Sequence, residues 1–94
     1  MKIAVINDFY QYSPARFTNG SAINEEGTNE GSCKIFAFAK LNNLSEKATL
    51  ACFGTYYRED VLEHPKGSDH ANIRNFMTTG WNGVKFDKSA LILL

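Results

Sequence analysis

Apolar and polar positions divide the chain into four stretches of helical period separated by polar turns. Ile3, Ile6 and Tyr10 share one helical face, with Val5 and Phe9 beside it, and Ser13-Pro14 stops the segment, which predicts a short helix from Ile3 to Tyr12. Asn29 or Ser32 can cap the stretch Cys33 to Leu41, which is apolar nearly all round apart from Lys34 and Lys40, the pattern of a helix in the middle of a domain. Asn42-Asn43 closes it. Ser45 then caps a third helix whose stripe Leu50, Phe53, Tyr57 and Val61 faces the core, with a bend expected at Gly54 and an end at His64-Pro65. Asp69 is placed as N-cap of a fourth helix, His70 to Thr79, with Ile73, Phe76 and Met77 inward and Gly80 in a positive-φ position at its end.

Extended structure is signalled more weakly. Asn19-Gly20 is a favoured hairpin centre and predicts a small ribbon from Phe17 to Ile23. Asn82-Gly83, followed by Val84 and Phe86, predicts a short strand that pairs near Phe17. Asn24 to Gly31 is polar and punctuated by glycine, so it reads as a surface loop. The apolar pentad Ala90 to Leu94 would be sticky as a free tail and is expected to pack on the core or on a partner chain. The resulting fold class is mainly α: a single small domain, residues 1–94, of about four helices with at most a minimal β-hairpin.

Composition narrows the function. Ten basic and ten acidic residues leave no net charge, and no basic stripe is present, which argues against nucleic-acid binding and against an anionic membrane surface. The acids gather in the Asn24 to Gly31 loop and around Glu59 to Glu63. Cys33 and Cys52 are too few for a disulfide framework and lack Cys-x-x-Cys pairing, so they read as reduced thiols of a cytoplasmic protein. Asn7-Asp8 interrupts the run Met1 to Ile6 before a signal-peptide core forms, and no apolar run reaches the ~18 residues of a membrane span.

Chemistry-bearing residues are sparse. Cys33 falls in the first turn of the central helix, where free N–H groups would favour a thiolate, and His70 beside Asp69 would supply a base. Cys33, His70 and Asp69 are therefore the candidate catalytic set, with His64 as alternative base and Asn72 as alternative orienting group. The ordinary roles compete: a small buried thiol, an exposed first-turn histidine and a helix cap. A metal site would have to gather Cys33, His64, Asp69 and His70, or Glu25, Glu26 and Glu30, but the spacing from His64 to His70 matches no ligand pattern, and the loop glycines lack the lysine of a phosphate loop. No metal and no cofactor are expected. Tyr56 and Trp81 are candidate ligand- or partner-binding aromatics, with Asn19 as a third contact residue.

Several strings, taken in order, resemble one family. Phe17-Thr18-Asn19-Gly20, Asn29-Glu30-Gly31-Ser32-Cys33-Lys34-Ile35-Phe36, Phe53-Gly54-x-Tyr56-Tyr57-Arg58, Asp69-His70-x-Asn72-Ile73-Arg74-x-Phe76-Met77 and Gly80-Trp81 resemble the HopJ type III effector family, over about Tyr12 to Leu91. The resemblance implies a protein delivered into plant cells by bacterial type III secretion, with no assigned reaction and no catalytic residues to carry over. Family members have more chain ahead of the Ile3 to Tyr12 segment, so this start reads as a shortened one. Ile3 to Ile6 look like core and unlike a polar export signal. Two functions remain in view: a binding module for a protein partner or a second copy of the chain, and a cysteine-dependent hydrolase or transferase using Cys33 with His70.

Overall fold

The computed structural model describes residues 3–94; Met1 and Lys2, the start of the run tested for a signal peptide, lie outside the described residues. Elements follow in the order α1 (Ile3–Phe9), β1 (Tyr10–Tyr12), β2 (Phe17–Asn19), β3 (Ala22–Asn24), α2 (Glu30–Leu41), α3 (Glu46–Ala51), a π-helical turn (Tyr56–Val61), α4 (Ala71–Thr79), a 3-10 turn (Gly80–Gly83), β4 (Val84–Phe86) and β5 (Leu91–Leu93). The mainly α expectation is thereby overturned. The molecule is a mixed α/β domain in which the strands form two antiparallel sheets, β1-β5 and β3-β2-β4. Strands of three residues leave little alternation to read, and β1 and β5 show none that stands apart from a helical or plain apolar run.

The first helix shows the correction most clearly. It ends at Phe9, and Tyr10 passes directly into β1, pairing Tyr10 with Leu93 and Tyr12 with Leu91. Ser13 N–H to Ala90 O and Leu94 N–H to Phe9 O extend that ladder at both ends. Aromatic residues suit a pleated half-buried surface, and the apolar C-terminal segment provides the partner strand. Ala90 and Leu91 are buried, whereas Ile92, Leu93 and Leu94 stay exposed beside Phe9.

The second sheet follows the sequence signals more closely. β2 and β3 form a hairpin, although Asn19 pairs with Ala22 as its last strand residue, so Gly20-Ser21 and not Asn19-Gly20 is the turn, with Gly20 at φ +62°. β4 adds on the other side, Phe17 opposite Phe86 and Asn19 opposite Val84, as Asn82-Gly83 and the alternating Val84 and Phe86 had indicated.

α2 is the central helix, burying Cys33, Ile35, Phe36, Ala37 and Ala39. Phe36 is fully buried and meets Phe53, Phe76, Trp81 and Phe17 at ring-centroid distances of 5.3, 5.0, 6.4 and 6.0 Å. Ser45 caps α3 by accepting the Ala48 N–H at 3.0 Å. Gly54, at φ +62°, breaks the expected long third helix, and the chain resumes as the π-helical turn. Leu50, Phe53 and Val61 nonetheless all reach the core. Among the described residues no helix is long and apolar enough to cross a membrane.

Candidate functional site

Four segments enclose an open cleft of ≈ 510 Å³. Ala22 to Asn24 of β3 form one wall, Asn29, Gly31 and Ser32 at the start of α2 form a second, and Phe53 with Tyr56 and His70 to Ile73 form the rest. Among the lining residues only His70 can carry a charge; carboxamides, hydroxyls and apolar side chains share the remainder.

Buried carboxamides build its base. Asn72 Oδ1 accepts from Asn19 Nδ2 and Asn24 Nδ2, both at 3.1 Å, and Asn72 Nδ2 donates to Asn24 Oδ1 at 2.9 Å. Asn19 Nδ2 also donates to the Asn72 carbonyl at 2.8 Å, and Asn29 Nδ2 donates to Asn24 Oδ1 at 2.7 Å. These bonds tie β2, β3, α2 and α4 together. Asn29 is thus occupied with Asn24 and leaves the first turn of α2 uncapped by its side chain, its own backbone at φ +49°. Amide nitrogen faces two acceptors at Asn19, which fixes that side chain's orientation, and Asn19 Oδ1 has no hydrogen-bond partner among the described residues.

His70 stands at the rim. It precedes α4 at φ +50°, a left-handed conformation that histidine and asparagine adopt more readily than bulkier residues. Its ring stacks on Tyr56 with centroids 5.0 Å apart, and its Nε2 lies 3.0 Å from Asp60 Oδ2. Asp69, expected to cap α4, is turned instead toward Arg74, whose Nη2 meets Asp69 Oδ1 at 2.6 Å. The same guanidinium reaches the carbonyls of Asp69, His64 and Asp60 at 2.6, 2.8 and 3.3 Å, and so holds both ends of the loop between the π-helical turn and α4. Hydrogen bonding to Arg74 keeps the Asp69 carboxyl below the usual carboxylate range.

The candidate residues from the sequence are distributed unequally around this cleft. Tyr56 and His70 stand in it together, and Asp69 Oδ2 is 3.9 Å from His70 Nε2. Cys33 lies in the first turn of α2 as expected, but its sulfur points to the carbonyl of Ala15 at 3.7 Å and shares none of the partners of His70. Burial, the largest influence, pushes the thiol up from its ordinary value, so Cys33 is a protonated, shielded thiol at neutral pH. Iodoacetamide is accordingly expected to label Cys33 only as fast as the protein unfolds; rapid labelling of the folded protein, read by mass spectrometry, would refute this. The same neighbourhood raises the phenol of Tyr12, chiefly through burial.

Trp81 and Asn19 serve the interior. Trp81 packs edge to face on Phe76 at 5.1 Å, and its Nε1 donates to the Leu44 carbonyl at 3.0 Å. Asn19 is fully buried in the carboxamide cluster. Asp60 and Asn24 were not singled out from the sequence as site residues, Ser32 was weighed only as a cap of the central helix, and Asn72 only as an alternative orienting group for a base. Asn72 does lie within the string Asp69 to Met77, but nothing in a lone asparagine marks it as an interior network residue.

A crystal structure of a protein of unknown function, VPA0580, superimposes with a TM-score of 0.98 at 59% identity, over 99% of this chain and 78% of that one. No curated protein matches the sequence. The family model of the HopJ type III effector proteins matches residues 1–91, and the chain belongs to that family.

Proposed function

We propose that the domain is a protein-binding module that takes up an extended segment of a partner along the free edge of β3. One observation carries this reading: β3 is an edge strand, and its three residues form a wall of the cleft. The ladder specifies which groups are on offer. Gly20 N–H bonds to the Gly83 carbonyl and Asp87 N–H to the Arg16 carbonyl, so even-numbered residues of β2 turn their backbone groups toward β4. Phe17 and Asn19 therefore bond to β3, through Asn24 and Ala22, and the Thr18–Ile23 pair between them is of the non-hydrogen-bonded kind. Ile23 consequently turns both its N–H and its C=O outward along the free edge.

An added strand would complete those two bonds, and its alternate side chains would enter the cleft between β3 and the Tyr56–His70 stack. The cleft's neutral carboxamides suit peptide groups. Cys33 takes no part. The module works in the cytoplasm, and delivery into another cell by a type III system follows the family's name.

Peptides selected from a random displayed library on the folded chain test the proposal. Ile23→Pro removes only the outward N–H, at a position where an edge strand accepts proline. Its thermal unfolding should stay close to wild type while peptide binding falls ~10-fold or more, about 1.4 kcal/mol. Peptides that bind this variant undiminished would contradict the reading.

A further inference from the structure

We propose that the outward face of the β1-β5 ribbon is the surface through which the domain pairs with a second copy of itself. The strand register sorts the ribbon into two faces, because residues directly opposite in an antiparallel pair share a side. Tyr10 with Leu93 and Tyr12 with Leu91 project to one side, and Gln11 with Ile92, flanked by Phe9 with Leu94, to the other. The first side is applied to the core: Leu91 is buried, and Tyr10 and Tyr12 pack against it. The opposite side of such a sheet is ordinarily polar. Here Phe9, Ile92 and Leu94 are 59%, 57% and 76% exposed, and Val5, one helical turn before Phe9 on α1, is 45% exposed. Consecutive apolar residues from Leu91 to Leu94 are the pattern of a strand covered on both faces, and the rest of the described chain covers only one.

Area and chemistry point to the second copy as the cover. Val5, Phe9, Ile92 and Leu94, with the exposed Leu93 at their edge, offer roughly 500 Å² of apolar surface, a size that marks interaction sites on soluble proteins. A two-fold pair removes that area from each partner, about 1,000 Å² in all, which is where specific interfaces begin. None of these side chains ionises, so nothing on the face selects a charged partner. An isologous contact, in which the same patch is used on both sides, needs a surface complementary to itself, and an uncharged apolar face meets that condition. Gln11, the exposed polar residue of the face, meets it too, since a carboxamide both donates and accepts and can pair with its own copy across the axis. A two-stranded ribbon is marginal by itself, and face-to-face packing gives this one its second layer. The β3 edge lies in the other sheet, so this pairing is separate from the strand addition proposed above.

Sedimentation equilibrium of the full chain, from low micromolar to near millimolar concentration, tests the pairing. A monomer–dimer equilibrium is expected, with twice the chain mass as its upper limit. Ile92→Asp places a carboxylate in the centre of the face, at a position exposed enough to leave folding intact, and should weaken the dimer ~10-fold or more. Leu94→Asp repeats the test at the most exposed position of the face. Circular dichroism and thermal unfolding at low concentration should stay close to wild type for both. Met77→Asp, at a residue of α4 that is 46% exposed, and Ile23→Pro, on the β3 edge, should leave the equilibrium as it is. A chain that stays monomeric at every concentration would overturn the proposal. So would a dimer that survives both ribbon substitutions, or one that Met77→Asp or Ile23→Pro dissolves as readily.

Discussion

Replacing Phe36 with alanine is expected to cost ~3–5 kcal/mol of folding stability, the range for truncating a fully buried aromatic side chain. The magnitude follows from its position. Phe36 has no exposed surface and touches four other aromatic rings contributed by β2, the residues after α3, α4 and the 3-10 turn. A domain of this size holds only about 5–15 kcal/mol in total, so the variant should lose a large share of it, with a fall of roughly 4–8 °C in Tm for each kcal/mol. Urea unfolding monitored by Trp81 fluorescence measures the effect. Leu62→Ala, at a residue 48% exposed, should change little by comparison. Equal losses from the two substitutions would mean that the aromatic cluster is not the centre of the core.

Asn72→Ala tests the base of the cleft, with an expected loss of ~1–3 kcal/mol from leaving a buried donor without a partner. Asn19 keeps its bond to the Asn72 carbonyl, and Asn24 Oδ1 keeps Asn29. Asn24 Nδ2, however, loses the oxygen to which it donates, inside a residue only 3% exposed. Because Asn24 ends β3, the same substitution should loosen the strand that the partner is proposed to join. Asn75→Ala offers the comparison: it removes only one partly buried donor to the Asn19 carbonyl and should cost less. Denaturant unfolding of the two variants side by side reads the difference, and an Asn72 variant as stable as wild type would show that the carboxamide cluster is dispensable.

These two residues mark what the sequence could convey. Phe36 was legible: an apolar stretch from Cys33 to Leu41 with no polar face has to lie in the middle of the domain, and it does. The Ser45 cap and the positive φ of Gly80 were legible for the same reason, since each depends on the residue and its immediate neighbours, whereas Gly54, expected only to bend the third helix, interrupts it. β4 was found because an Asn-Gly turn and an alternating pair adjoin. β1 and β5 were not, since Tyr10 to Tyr12 also fit a helical face and only the far end of the chain, through Leu91 to Leu93, decides otherwise.

The site was legible only in fragments, for a related reason. Asp69 looks like a helix cap by position, but Arg74 five residues later binds its carboxylate, and the cap falls to His70. Cys33 was placed in the correct turn, yet one residue of helical rotation separates Ser32, which lines the cleft, from a sulfur that faces Ala15. The meeting of Asp60 with His70 depends on three backbone carbonyls gathered by Arg74, and carbonyl positions leave no trace in residue type.

Strand addition at β3 requires Ile23 to offer its backbone to the partner, and the amide proton of Ile23 tests this most directly. Hydrogen exchange would be followed by NMR in the free domain and in its complex with a library-selected peptide. Fast exchange of the Ile23 amide is expected in the free protein and marked slowing in the complex, with the Ala22 and Asn24 amides, already bonded to β2, changing far less. An Ile23 amide that exchanges equally fast with the peptide bound would contradict it.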